Sequence, residues 1–360
     1  MSSTVRKLSI GAAVLAVIAL ISTACGSPSE DAGSVSSDGT TVLRYQGSPS
    51  AVRWSELAES LGYFETVKLE WVGDTTSGPQ DIQSVATGQT EIGEAFNGSV
   101  AKLQEAGSAI TAVVSSSGSD DLTYQGYYSL EGSGINTARD LIGKKVGINT
   151  LGAYHEYAIK EWLFREGLSD EEIAQVEFLV VPPINTELAL RQGQIDVGNL
   201  GGVIKDVALE AGGLHEIFRD TDLIGNFSIS TAVLRDDFIE QNPDAAADFV
   251  QGVARAIRWA QLRPSEEVIE KYTDIIEGRG RTENTDYVEH WKSAGVPSPG
   301  GVIADDEFTL WVDEAVRLGE LPSGLDVSTF YTNEFNPYAN GRFAPDADEN
   351  GNPIEQGANP

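Results

Sequence analysis

Two short turns carry the side chains best suited to hold a small molecule. The first contains Gln46, Ser48 and Ser50 around Gly47 and is followed by Trp54; the second runs Leu151-Gly152-Ala153-Tyr154-His155. Each combines a glycine, which lets backbone N–H groups come close to a ligand, with polar side chains and an aromatic face. Asn97-Gly98-Ser99 and Asn199-Leu200-Gly201 repeat the pairing of an amide with glycine, and Tyr128 offers another ring. This is chemistry for hydrogen bonding and stacking. Bond-breaking chemistry lacks material: the three histidines (His155, His215, His290) are far apart, and no HExxH, GxSxG or GxxxxGK[ST] pattern occurs. No catalytic residue, metal ligand set or cofactor is assigned.

Each of these residues also has a structural reading. His155 falls on the first turn of a helical pattern, where it serves as a surface cap or as cleft lining. Trp54 lies on an apolar stripe and reads as core, with stacking on a ligand as the alternative. Gln46, Ser48 and Ser50 are ordinary turn residues, and their interest, like that of Tyr154, Asn97 and Asn199, comes from position.

That position is set by an internal duplication. At an offset of 105 residues, Gly47 matches Gly152, Gly62 matches Gly167, Gly88-Gln89 matches Gly193-Gln194, and Gly93 matches Gly198, with Glu91-Ile92 opposite Asp196-Val197. Both copies read strand, glycine turn, helix, helix, strand. The strands are Thr41 to Tyr45 and Lys145 to Asn149, with Ser48-Pro49 as a helix N-cap and first helical position in the first copy. Second helices at Pro79 to Thr87 and Thr186 to Gln192 lead into strands Glu91 to Gly93 and Ile195 to Gly198. Two βαβ units predict two parallel sheets covered by helices, which is an α/β architecture. Ligands of such sheets bind beyond the carboxyl ends of the strands, so two facing copies form a clamp with the two turns as opposite jaws.

The remainder supplies connections. Thr123 to Leu130 and Phe227 to Leu234 are β-rich runs able to carry the chain between lobes. Helical patterns follow from Asn242 to Leu262, Glu266 to Glu277 and Asp305 to Leu318. From Thr332 onward Asn, Pro, Gly and Asp dominate, and a loop or partly disordered tail is expected. Within it Asp346, Asp348, Asn350 and Gly351 have the spacing of a calcium loop, but Gly357 stands where the bidentate Glu belongs.

Composition sets the address. Arg6 and Lys7 precede an apolar run from Leu8 to Ile21, shorter than the roughly 20 residues of a bilayer span, which is the layout of a secretory signal. Ser22-Thr23-Ala24-Cys25 resembles a bacterial lipobox, and Cys25 is the single cysteine, so no intramolecular disulfide can form. A lipid on Cys25 would anchor the protein to the outer face of the cell membrane, with residues 25–40 as a flexible tether. The net charge of -31 speaks against nucleic acid as a partner. A monomer is expected.

The stretches SLGYFETVKLEWV, VATGQTEIG, ARDLIGKKVGINTLGAYHEYAIKEWLFREGL and LALRQGQIDVG, in this order, resemble the solute-binding proteins of nitrate, sulfonate and taurine ABC importers, a family that includes binders of the thiamine pyrimidine precursor. The resemblance implies a two-lobed type II periplasmic-binding-protein fold, each lobe a mostly parallel sheet flanked by helices. Lobe one would comprise residues 41–127 and 229–331, lobe two residues 128–228, after a signal (1–24) and tether (25–40) and before a tail (332–360). It further implies a small-molecule solute, an ABC permease as membrane partner and no enzymatic activity. A small organic anion such as an aliphatic sulfonate suits jaws made of helix N-termini; a neutral aromatic or pyrimidine solute, or a sensor role, is the alternative. Asn199-Leu200-Gly201-Gly202 departs from the family's aromatic-x-Pro turn.

Overall fold

The computed structural model describes residues 39–75 and 77–354. The expected signal and Cys25 lie outside them. The first lobe begins with β1 (Thr41–Gly47), whose alternate residues are buried, α1 (Trp54–Ser60), β2 (Val67–Asp74), α2 (Gly78–Ala86), β3 (Gly93–Phe96), α3 (Asn97–Glu105) and β4 (Ile110–Ser119). The chain then crosses to β5 (Gln125–Leu130), β6 (Lys145–Ile148), α4 (Tyr154–Arg165), α5 (Asp170–Ile173), β7 (Glu177–Val180), α6 (Pro183–Arg191), β8 (Val197–Gly201), α7 (Gly202–Glu210), β9 (Leu214–Arg219) and α8 (Asp220–Ile224). It returns through β10 (Phe227–Arg235) and closes with α9 (Asp236–Gln241), α10 (Pro243–Leu262), α11 (Ser265–Gly278) and α12 (Asp306–Arg317).

Strand pairing makes the two lobes copies of one plan. In the first, β1 pairs parallel with β2 and, through Tyr45 and Ile92, with the segment entering β3, while β10 runs antiparallel between β3 and β4. In the second the order is β7-β6-β8-β5-β9, and β5 is the antiparallel member. Each lobe thus receives its one antiparallel strand from a chain segment that has just left the other. The two β-rich runs read from the sequence are these exchanged strands.

Side chains repeat the plan in detail. Glu91 accepts the backbone N–H of Arg44 at 2.7 Å, and Asp196 accepts that of Lys145 at 2.8 Å. Gly93 and Gly198 lie where α2 and α6 press on their strands; an added Cβ would stand 2.8 Å from Val85 Cγ2 in one and 2.6 Å from Thr186 Cγ2 in the other. Gly62 and Gly167 end helices at φ of +70° and +85°, the left-handed region that favours glycine.

One expected equivalence is corrected. Because Arg44 matches Lys145 while Glu91 matches Asp196, the first strands align at an offset of 101 and only the later elements at 105. Gly47 is therefore the counterpart of Ile148, not of Gly152. The difference is absorbed by the first helices, twelve residues in α4 against seven in α1.

The C-terminal region binds the lobes and covers the first. Phe249, Val253, Ile257 and Ala260 of α10 enter the core beside Leu57 and Ala58 of α1. Helix α12 packs Trp311 and Ala315 among residues of both α3 and α4. The tail is irregular but held: Tyr338 and Ala347 bury against Ala254, and Arg255 and Arg258 donate to the carbonyls of Glu349 and Ala347 at 2.9 and 2.8 Å. Asp348 Oδ1 accepts the N–H groups of Asn350 and Asn352, so the calcium-like spacing here builds a turn.

Candidate functional site

At the first turn the Ser50 and Ala51 donors are already taken. Ser50, at φ +58°, donates its N–H to Glu283 Oε1 at 2.7 Å, and the guanidinium of Arg279 holds the Ala51 carbonyl at 2.6 Å. The segment between α11 and residue 284 therefore lies over this turn. It explains why the helix does not start at Pro49: α1 begins at Trp54, where Glu56 accepts the Arg53 N–H at 3.0 Å. Ser48 faces the Thr75 carbonyl (3.4 Å), and Gln46 Oε1 accepts from Ser84 (3.3 Å). Arg53, the one cation of either turn, is held by Asp81 at 2.9 Å and Glu94 at 3.3 Å. Trp54 is buried and donates Nε1–H to the Ser116 carbonyl at 2.6 Å, which places it in the core on the floor of the lobe.

The second turn shows the same self-capping. Gly152, at φ +70°, donates its N–H to Glu156 Oε2 at 2.7 Å. Ala153 is the N-cap residue of α4, and Leu151 projects outward, 55% exposed. Tyr154 turns inward and donates to Asp220 Oδ2 at 2.7 Å, while Tyr127 donates to the His155 carbonyl at 2.5 Å. The His155 Nδ1 is buried without a partner among the described residues, and burial lowers the imidazole pKa to about 4, so the ring is neutral at pH 7.

The two lobes meet here. Ser99 Oγ of α3 donates to the Gly152 carbonyl at 3.3 Å. Phe96 packs against Tyr154 and Tyr157 with ring centroids 5.6 and 5.3 Å apart, and Trp311 stands edge-on to Tyr154 at 5.4 Å. Gly98 is required by this packing, since a Cβ would lie 2.6 Å from the Phe96 ring. Asn97 is fully buried; its Nδ2 donates to the Glu307 carbonyl at 3.0 Å and its Oδ1 has no partner among the described residues.

Two expected positions shift. Asn199 lies inside β8, which runs on to Gly201 instead of ending at Gly198, with Nδ2 3.4 Å from the Gly126 carbonyl. Tyr128 is corrected: its ring is buried with Leu200 and Ala208, its hydroxyl donates to Glu216 at 2.7 Å, and it presents no stacking face. Inward alternation along β5 sends Tyr127 and Tyr128 to opposite faces.

Sequence reasoning missed the acidic members. Asp220, wholly buried, accepts the Ser119 hydroxyl (2.5 Å), the Tyr154 hydroxyl and the Gln125 N–H (3.1 Å). Glu307 accepts the Ser115 hydroxyl at 2.7 Å, and burial raises its pKa to about 7. Glu314 has both carboxyl oxygens buried without a hydrogen bond, and burial, with Glu161 nearby, raises its pKa to about 9. Burial also raises the Asp220 pKa. Each sits in a segment whose charge pattern reads as an ordinary solvated helix start or face; only the fold turns them inward.

Two surface cavities are present, and the larger borders the first turn through Trp71, Arg279 and Arg281. One, about 280 Å³, lies at Leu130 to Asn136 and His215; the other, about 410 Å³, lies between Tyr45, Trp71 and Arg281. Among the described residues no histidine side chain hydrogen-bonds to a hydroxyl, and no group of three or more His, Cys, Asp or Glu is placed to hold a metal ion.

The NMT1/THI5-like family model matches residues 56–267, more than half of the chain, from within α1 through α10. The chain belongs to the NMT1/THI5-like family. No curated protein matches it. Among solved structures, it is similar to the ligand-binding component of an ABC-type import system from Staphylococcus aureus (TM-score 0.63, 14% identity, 83% of this chain and 98% of that one). It is equally similar to the alkanesulfonate-binding protein SsuA of Xanthomonas axonopodis pv. citri bound to MOPS (TM-score 0.63, 18% identity, 81% and 98%). The desulfurization enzyme DSZB shares the fold as well (TM-score 0.58, 14% identity, 84% and 99%). This NMT1/THI5-like chain thus has the two-lobed periplasmic-binding-protein fold expected from its sequence.

Proposed function

We propose that this protein is the extracytoplasmic solute-binding component of an ABC importer, holding a small organic solute between its lobes and passing it to a membrane permease. The observation that carries the reading is the contact between Ser99 of α3 and the Gly152 carbonyl, which joins the two lobes through segments that also contain buried polar atoms unpartnered among the described residues, Asn97 Oδ1 and His155 Nδ1. Buried polar groups without partners are rare in a finished interior and call for a ligand or water to satisfy them. The division into lobe one (41–127 and 229–331) and lobe two (128–228) falls within the exchanged strands β5 and β10, whose starts at Gln125 and Phe227 favour bounds a few residues earlier. Lipidation of Cys25 provides the anchor, and the protein acts as a monomer.

For the solute, a small organic anion such as an aliphatic sulfonate is the first reading, favoured by neighbours described as sulfonate- and nitrate-binding proteins. A neutral aromatic or pyrimidine solute is the second. A thermal-shift screen of both classes tests the proposal, because a solute that binds only the folded state raises its stability by RT ln(1 + [L]/Kd). Stabilisation by no solute of either class would count against solute capture.

A further inference from the structure

The segment that follows α11 lies across the first turn and holds it through side chains. Resting on the anion reading above, we propose that residues 279–284 form a strap whose Glu283 carboxylate stands in for the anionic group of the solute and is displaced by it.

The strap is fastened at the carboxyl ends of β1 and β2, beyond which ligands of such sheets bind. Ser50 donates its N–H to Glu283 Oε1 at 2.7 Å, Asn284 donates its N–H to Ser50 Oγ at 3.4 Å, and Arg279 Nη2 donates to the Ala51 carbonyl at 2.6 Å. Arg281 Nη2 donates to the Tyr45 hydroxyl at 3.2 Å, and its guanidinium lies 4.0 Å from the centre of the Trp71 ring. The turn so held is not relaxed. Ser50 is the one non-glycine residue with positive φ among the described residues, at +58°, a backbone that serine rarely adopts.

Glu283 satisfies this place incompletely. Its side chain is 5% exposed, yet Oε2 has no hydrogen bond among the described residues and stops 3.6 Å from Arg279 Nε, which is buried without one as well. One carboxylate thus spans two donors, the Ser50 N–H and Arg279 Nε, and bonds only the first. An oxyanion free to orient can bond both, and charge-assisted bonds of this kind are the strong ones. A solute without an oxyanion offers these donors a weaker acceptor.

The strap also has room to lift. The cavity of about 410 Å³ beside it is lined by Gly278, Arg279 and Arg281 together with Leu69, Trp71 and Asp274. Gly278 and Gly280 bracket Arg279, and a Cβ at either would meet nothing within 4 Å, so neither is pinned by packing. Two such glycines supply the backbone freedom of a hinge. A strap closed in most molecules lowers the apparent affinity for solute by the fraction that is open.

The test is isothermal titration of the purified protein with ethanesulfonate, nitrate and the neutral pyrimidine cytosine, alongside hydrogen exchange of the Ser50 amide. Glu283→Ala should bind at least one of the two anions about tenfold or more tightly than the parent does. Glu283→Gln keeps an acceptor for the Ser50 N–H, guards against loss of the fold, and should fall between them. Asp274→Asn removes an equal charge beside the same cavity and should change affinity by less than about twofold. The Ser50 amide should exchange faster in Glu283→Ala than in the parent and regain protection when the anion is added. Equal or weaker anion binding by both Glu283 variants overturns the strap while solute capture stands. So does an Asp274→Asn effect as large as that of Glu283→Ala, or anion binding that leaves Ser50 unprotected. Binding of cytosine with no binding of either anion overturns it and keeps capture for a neutral solute. Binding of none of the three to any form overturns it too, and capture is then judged by stabilisation with other solutes of the wider screen.

Discussion

Tyr154 donates to Asp220 across 2.7 Å, and the same carboxylate oxygen takes the Ser119 hydroxyl at 2.5 Å. One buried group thereby ties the helix of the second turn to both ends of the first crossing, since Gln125, which opens β5, donates to the other oxygen. Removing one donor should cost little and removing the acceptor much more. Tyr154→Phe is expected to destabilise by about 1 kcal/mol, and Asp220→Ala by about 2–3 kcal/mol, because three buried donors lose their partner. Denaturant titration of both variants checks the order, and an Asp220→Ala cost no larger than that of Tyr154→Phe would refute the shared-acceptor view.

Gly152 and Gly47 make a contrasting pair. Gly152 is held at φ +70°, so Gly152→Ala should cost about 1 kcal/mol although its Cβ would meet only Lys102 Nζ at 3.6 Å. Gly47 has no such backbone, and its Cβ would lie 3.3 Å from the side-chain ends of Arg281 and Trp71. Gly47→Ala should therefore shift stability by less, through movement of those side chains. Melting curves of the two variants decide.

Glu314 makes stability depend on pH with a definite sign. Burial raises its folded pKa to about 9, above the 4.5 of an exposed glutamate, so the folded state binds the extra proton. Stability falls as pH rises from about 4.5 toward 9, by up to about 1.4 kcal/mol per unit from this group. Glu314→Gln removes the titration; its melting temperature should exceed that of the parent at pH 9 and converge with it at pH 5. A parent and variant with parallel profiles would show that the Glu314 carboxyl is not held protonated at the α4–α12 contact.

Cys25→Ser should move the protein from the membrane fraction to the soluble fraction of cells. Retention of the variant on membranes would rule out a lipid on Cys25 as the anchor.

Much of this architecture is legible in the sequence because it rests on local signals. Gly62 and Gly167 mark helix ends by the backbone they allow, and Glu91 and Asp196 mark the same strand edge in each lobe. The register of the first strands was not legible: a gap-free match of Gly47 with Gly152 hides four residues that only the Arg44–Glu91 and Lys145–Asp196 contacts reveal. The site was read as turns and strand ends, and the structure does bring Ser99, Gly152 and Tyr154 together with Asn97 nearby through shared neighbours. Asp220, Glu307, Glu314 and Trp311 carry no local mark, because their burial comes from contacts more than sixty residues away in the chain. Tyr128 shows the opposite failure, a ring of suitable type on the wrong face of its strand.

Small-angle scattering of the purified protein, with and without the solute that most raises its melting temperature, tests capture between lobes most directly. Closure about the crossings at residues 120–124 and 225–226 predicts a smaller radius of gyration at saturation. An identical profile at saturating solute would contradict a clamp that closes on its ligand.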